Sequence, residues 1–115
     1  FDMATLTMRG KGSVDELAAY LSSEIENSGI SCEKVAQTRR TVGNAAVCLL
    51  VFEKYYWRSS NRASLTVLLT GADGYVTVDA VGAGGGAGVL FRFSWGAEDD
   101  FVATVESSLR KRGFA

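Results

Sequence analysis

Side chains able to do chemistry concentrate in Phe52-Glu53-Lys54-Tyr55-Tyr56-Trp57-Arg58-Ser59-Ser60-Asn61-Arg62, where one apolar run ends and the next begins. Strand alternation sets Glu53, Tyr55 and Trp57 on one face, with Val51 preceding them. A carboxylate beside aromatic rings can bind a cation or hold its proton unusually tightly. The simpler and preferred reading is that the strand has reached solvent by Glu53, which then pairs with a nearby arginine; such exposed pairs are common and stabilise little. Arg62 can grip a carboxylate or phosphate through two parallel hydrogen bonds. Asn61 fits a turn, since asparagine tolerates the left-handed conformation. Lys54, Arg58 and the aromatics could also stack bases, as single-strand binders do. A formal net charge of -1 and the lack of a second basic stripe argue against nucleic acid.

Gly82-Ala83-Gly84-Gly85-Gly86-Ala87-Gly88 matches the loose dinucleotide pattern. That pattern works only between a strand and a helix whose N-terminus meets the pyrophosphate. An aromatic β-run follows here, so the segment reads as a strand connection, or as a place where another molecule approaches the backbone closely. Arg39-Arg40 reads as a solvated edge whose charges discourage strand pairing. Trp95-Gly96 leads into the last helix, and its indole reads first as an anchor of helix on sheet.

The 115-residue chain has the length of one domain, and residues 1–115 are taken as a single unit. It is 47% hydrophobic and 22% charged, the balance of a globular protein. With no histidine, a Ser-His or Cys-His pair and an imidazole-based zinc site are impossible. No metal ligand set, cofactor motif or catalytic pair is assigned. No apolar run nears the roughly 18 residues of a membrane span. The two cysteines, Cys32 and Cys48, make no disulfide framework. If Gly43-Asn44 turns a hairpin, residue 48 faces about residue 39, far from Cys32. Both are expected reduced, which suits a cytoplasmic protein. Phe1-Asp2 precede Met3, which is read as the native start.

The expected element order is β-α-β-β-β-β-β-α. Strand one is Ala4 to Arg9, with Leu6 and Met8 opposite Thr5 and Thr7, and Gly10-Lys11-Gly12 ends it. Ser13-Val14-Asp15-Glu16 is a capping box that opens helix one. Val14, Leu17, Ala18, Leu21 and Ile25 form its apolar stripe, and Asn27-Ser28-Gly29 close it, with Gly29 as the left-handed cap. Strand two, about Ile30 to Thr41, is polar enough to be an edge. Strand three, Ala45 to Trp57, is apolar on both faces: Val47, Leu49 and Val51 on one, Cys48, Leu50 and Phe52 on the other. Strand four (Ala63 to Thr70) points Leu65, Val67 and Leu69 inward. Gly71-Ala72-Asp73-Gly74 is a hairpin turn before strand five, Tyr75 to Val81. Strand six is Val89 to Trp95. Helix two runs from near Gly96 to about Arg112 on a stripe of Phe101, Val105 and Leu109 with Val102 beside it, acidic at its start and basic at its end.

These elements make an α+β, two-layer fold, a single antiparallel curved sheet with two helices on one face, resembling the helix-grip or TATA-binding-protein-like architecture. Apolar residues on the other face (Leu68, Val81, one side of strand three) call for a partner or a ligand.

The block from Phe52 to Gly71, FEKYYWRSSNRASLTVLLTG, resembles the central segment of the family called domain of unknown function 6054. The glycine-rich stretch, Val89-Leu90-Phe91-Arg92-Phe93-Ser94-Trp95-Gly96 and the acidic helix start resemble it too. The resemblance implies a small, bacterial, cytoplasmic protein of one domain and carries no activity to transfer.

Three functions follow as expectations. The first is a non-enzymatic module that self-associates, as a homodimer, through the open sheet face. The second is a small-molecule site between helix two and the sheet, lined by Glu53, Tyr55, Trp57, Asn61, Arg62 and Trp95. The third and least supported is an enzyme relying on Glu53, Asp79, a tyrosine or a cysteine.

Overall fold

The computed structural model describes residues 3–28, 32–56, 61–84 and 97–115. In chain order these form β1 (Met3–Lys11), α1 (Val14–Glu26), β2 (Glu33–Val42), β3 (Ala45–Tyr56), β4 (Asn61–Ala72), β5 (Tyr75–Gly84) and α2 (Ala97–Lys111). The strands form one sheet in the order β1-β5-β4-β3-β2, and every neighbouring pair is antiparallel. The fold is thus α+β in two layers, with both helices on one face of the sheet. The expected strand six lies outside the described residues.

Period-two alternation in the strands and period-3.6 stripes in the helices build the core. Leu50 and Phe52 of β3, Leu65, Val67 and Leu69 of β4, and Val76 and Val78 of β5 are fully buried. They pack against Leu17, Leu21 and Ile25 of α1 and Phe101, Val105 and Leu109 of α2 in one cluster. Both predicted helical stripes are the buried ones.

Turn chemistry sets the register. Gly43 carries a φ of 61° at the first position of the β2–β3 turn, the place a type II′ hairpin reserves for glycine. Asp73 and Gly74 both have positive φ, 57° and 81°, as a type I′ turn requires. The β4–β5 hairpin therefore turns on those two residues alone, and Gly71 and Ala72, expected in the turn, belong to β4. Pairing likewise carries β1 to Lys11 and β5 to Gly84, past the glycines expected to end them. Gly71 and Gly82 are paired on both sides, so the ladder satisfies their backbone groups. Arg39 lies opposite Cys48, as the hairpin geometry predicted, and both cysteines are free.

Helix α1 starts where expected: Ser13 Oγ accepts the Glu16 amide at 3.2 Å. The reciprocal half of the capping box is replaced, because the Glu16 carboxylate pairs with Arg112 beyond α2. Asn27 caps the C-terminal end, three residues after Glu24; Gly29, expected there, lies outside the described residues.

The C-terminal residues return to the edge strand β1. Ala115 and Arg9 exchange two backbone hydrogen bonds, at 2.9 and 3.1 Å. This seats the buried Phe114 ring on Gly10, where an added Cβ would lie 2.4 Å from the ring. Gly10→Ala should therefore displace Phe114 and destabilise the protein by about 1–3 kcal/mol, as overpacking does. Urea unfolding of the variant, compared with the unsubstituted protein, checks this.

Candidate functional site

The register shows where the predicted site residues lie. Directly opposed residues in antiparallel strands share a face. Thr38, Leu49, Leu68, Asp79 and Thr7 form one row across all five strands, and Ala36, Val51, Thr66, Val81 and Thr5 form the next. The row Arg40, Val47, Thr70, Thr77 and Arg9 marks one end of this face, and Glu33, Glu53 and Ser64 mark the other. The helices occupy the opposite face. Among the described residues no helix lies over these rows, and Val47, Leu49, Val51, Leu68 and Val81 are only partly buried.

Glu53 and Arg62 therefore point away from the helices and cannot line a cavity beneath α2. Strand parity sets this: Phe52 takes the inward position, so Glu53 must take the outward one. Arg62 Nη1 donates to Glu53 Oε1 at 3.1 Å, the arginine pairing preferred from sequence. The pair is diagonal, since Glu53 opposes Ser64 and Arg62 opposes Tyr55. Asn61 opposes Tyr56 as the first residue of β4, so its backbone belongs to the ladder rather than to a turn. Trp57 and Trp95 lie outside the described residues. The structure thus brings Glu53 and Arg62 together.

Charge is unevenly distributed over the face. Arg9, Lys11 and Arg40 sit at the end near the two tight hairpins, with the Arg9 guanidinium 4.5 Å above the Tyr75 ring. Glu33 and Glu53 oppose one another at the far end. Asp79, in the middle, accepts a 2.7 Å hydrogen bond from Thr7 Oγ1, which satisfies one carboxylate oxygen.

A second polar constellation was missed from sequence. Glu24 of α1 and Ser108 of α2 meet across the helix seam, where Ser108 Oγ donates to Glu24 Oε1 at 3.1 Å. Tyr20 OH donates to the Ser108 carbonyl at 2.8 Å, and Lys111 Nζ lies 3.5 Å from Glu24 Oε1. The only sequence signal was Tyr20 and Glu24 four apart, beside the apolar stripe. Arg39, read as a solvated edge charge, grips Asp15 of α1 through two hydrogen bonds of 2.6 and 3.2 Å.

Burial pushes the Tyr20 phenol up, and the nearby Glu24 carboxylate raises it further. Burial likewise raises the Cys48 thiol, helped by Asp15 and opposed by Arg39. A raised thiol is a poor nucleophile at neutral pH. Among the described residues, no group of three or more His, Cys, Asp or Glu could hold a metal ion, and no helix is long and apolar enough to cross a membrane.

Residues 3–113 match the model of a family of unknown function, DUF6054, and the chain belongs to that family. No curated protein matches it in sequence. Among solved structures, a hypothetical protein of Helicobacter pylori, jhp0584, superposes with a TM-score of 0.55 at 11% identity, over 95% of this chain and 84% of that one. LpqN, involved in cell envelope biogenesis of Mycobacterium tuberculosis, gives a TM-score of 0.45 at 12% identity; the match covers 94% of this chain and 57% of LpqN. At 11% identity the likeness to jhp0584 is one of fold.

Two outcomes follow. Arg62→Ala should leave the fold intact and change stability by no more than about 1 kcal/mol, since the pair is exposed; a denaturant midpoint measures it. The Tyr20 contribution to stability should be constant up to the ordinary tyrosine value of 10.0 and be lost as pH rises beyond it, because folded Tyr20 holds its proton more tightly than the unfolded chain does. Tyr20→Phe should flatten that part of the profile in pH-dependent melting curves.

Proposed function

We propose that this family member is a non-enzymatic interaction module that pairs with a second copy of itself through the helix-free face of its sheet. The observation that carries this is the pair of central rows, where Leu49, Leu68, Val51 and Val81 stay partly exposed on a five-stranded surface. Such a surface spans on the order of 600 Å² by strand spacing and rise. Two copies would bury about 1,200 Å² together, within the size of stable interfaces.

Charge placement favours a copy of the same chain. A twofold axis in the plane of the face, perpendicular to the strands, lays each strand antiparallel over its counterpart. Arg40 of one copy then meets Glu33 and Glu53 of the other, and the exchange occurs twice, as an isologous contact requires. Arg9 and Lys11 stay at the rim, where water solvates them. The aliphatic rows meet in the middle, and Asp79 enters with Thr7 already bonded to it. Sheets stacked this way pack about 10 Å apart. The absence of histidine and the raised Cys48 thiol support binding over catalysis.

Light scattering at about 50 µM, a concentration that populates micromolar complexes, should give the mass of a dimer. Leu68→Arg should give a monomer with an unchanged circular dichroism spectrum. A wild-type protein that is monomeric under these conditions removes the proposal.

A further inference from the structure

The helices run antiparallel and meet along a polar seam rather than an apolar one. Glu16 pairs with Arg112, whose guanidinium also lies 4.4 Å over the Tyr20 ring. One turn on, Ser108 and Lys111 close on Glu24. Beyond Glu24 the facing side chains become small, and the seam opens into a groove of about 560 Å³ lined by Asn27 and Ser28 of the α1 end and by Ala103, Thr104 and Ser107 of α2. That volume suits a small ligand.

The groove's chemistry narrows the ligand. Among the described residues its lining holds one carboxylate and one ammonium, Glu24 and Lys111, and these already neutralise one another. A charged ligand gains no net attraction there. Among the described residues no large apolar side chain lines the groove, so an apolar ligand would leave polar groups desolvated and unpaired. The protein donors near Glu24 all gather at Oε1, and among the described residues Oε2 receives none. Lys111 Nζ donates beside it, and the Ser107 hydroxyl is exposed. A hydroxyl can donate to Oε2 and accept from Nζ at once, and a neighbouring hydroxyl can reach Ser107 or the Asn27 carbonyl oxygen. We infer that this groove binds a neutral, polyhydroxylated molecule of mono- to disaccharide size, with Glu24 as acceptor and Lys111 as donor.

The test is an amide NMR titration of the full chain with glucose and maltose, and with ethanolamine and acetate as charged probes. Saturable shifts are expected for a sugar at Glu24, Asn27, Ser107 and Lys111, with a Kd of about 1 mM, as a few exposed hydrogen bonds give. Ser107→Leu, at an exposed helical position that leucine suits, should fill the groove and abolish those shifts. Lys111→Met should weaken binding about tenfold, the loss of one charged hydrogen bond. The inference is overturned by the absence of a saturable sugar shift up to about 50 mM, by sugar shifts that survive Ser107→Leu, or by stronger binding of either charged probe. Leu68→Arg lies in the other layer, so its effect on self-association is read separately.

Discussion

Phe52, Leu65, Val67 and Val78 on one side of the sheet, and Leu17, Leu21, Phe101 and Val105 on the helices, bury one another completely. Each fully buried aliphatic or aromatic side chain contributes about 1.5–3 kcal/mol relative to exposure, so this single contact supplies most of the driving force for folding. It also orients everything else. Once odd residues of β4 face the helices, its even residues must face away, and through the ladder the even residues of β3 and β5 become the ones that face the helices. The helix-free face and the position of Glu53 are consequences of that choice.

Polar contacts at the margins hold this two-layer arrangement in place. Arg39 ties the edge strand β2 to the first turn of α1 through Asp15. Glu16 and Arg112 join the two helices, and the Arg9–Ala115 hydrogen bonds bring Phe114 onto Gly10. The exposed ion pairs contribute little singly. The buried Phe114 ring does more, because it closes the core at the β1 edge, where a side chain on residue 10 would leave it no room.

The same geometry gives the molecule two surfaces of different character. The sheet face is aliphatic and hydroxylated in the middle around Asp79, with Arg9, Lys11 and Arg40 at one end and Glu33, Glu53 and its partner Arg62 at the other. The helix seam is polar and nearly neutral, with its charges spent on each other. An aliphatic surface with separated charges suits a large complementary partner. A narrow groove of hydroxyls and one neutralised ion pair suits a small polar molecule. These are physically independent demands, and the fold meets them on opposite layers.

Local patterns in the sequence determined the elements. Alternation in Ala63 to Thr70, the stripes of Val14 to Ile25 and Phe101 to Leu109, the Ser13 cap and the Asp-Gly turn each act within a few residues, and each appears in the structure as read. That Glu53 would pair with a nearby arginine was legible too, and the β3–β4 register makes that arginine Arg62. The ends of β1, β4 and β5 were not, because glycine's local preference for turns is overridden where a neighbouring strand offers hydrogen bonds, on one side for Gly10 and Gly84 and on both for Gly71 and Gly82. Nor could sequence show Glu24 meeting Ser108, Arg39 meeting Asp15 or Phe114 covering Gly10. Those partners lie far apart along the chain, and only the docking of helix on sheet brings them together. Tertiary structure also decided on which side of the sheet Glu53 would stand, since strand periodicity fixes which residues share a face but not which face the helices will cover.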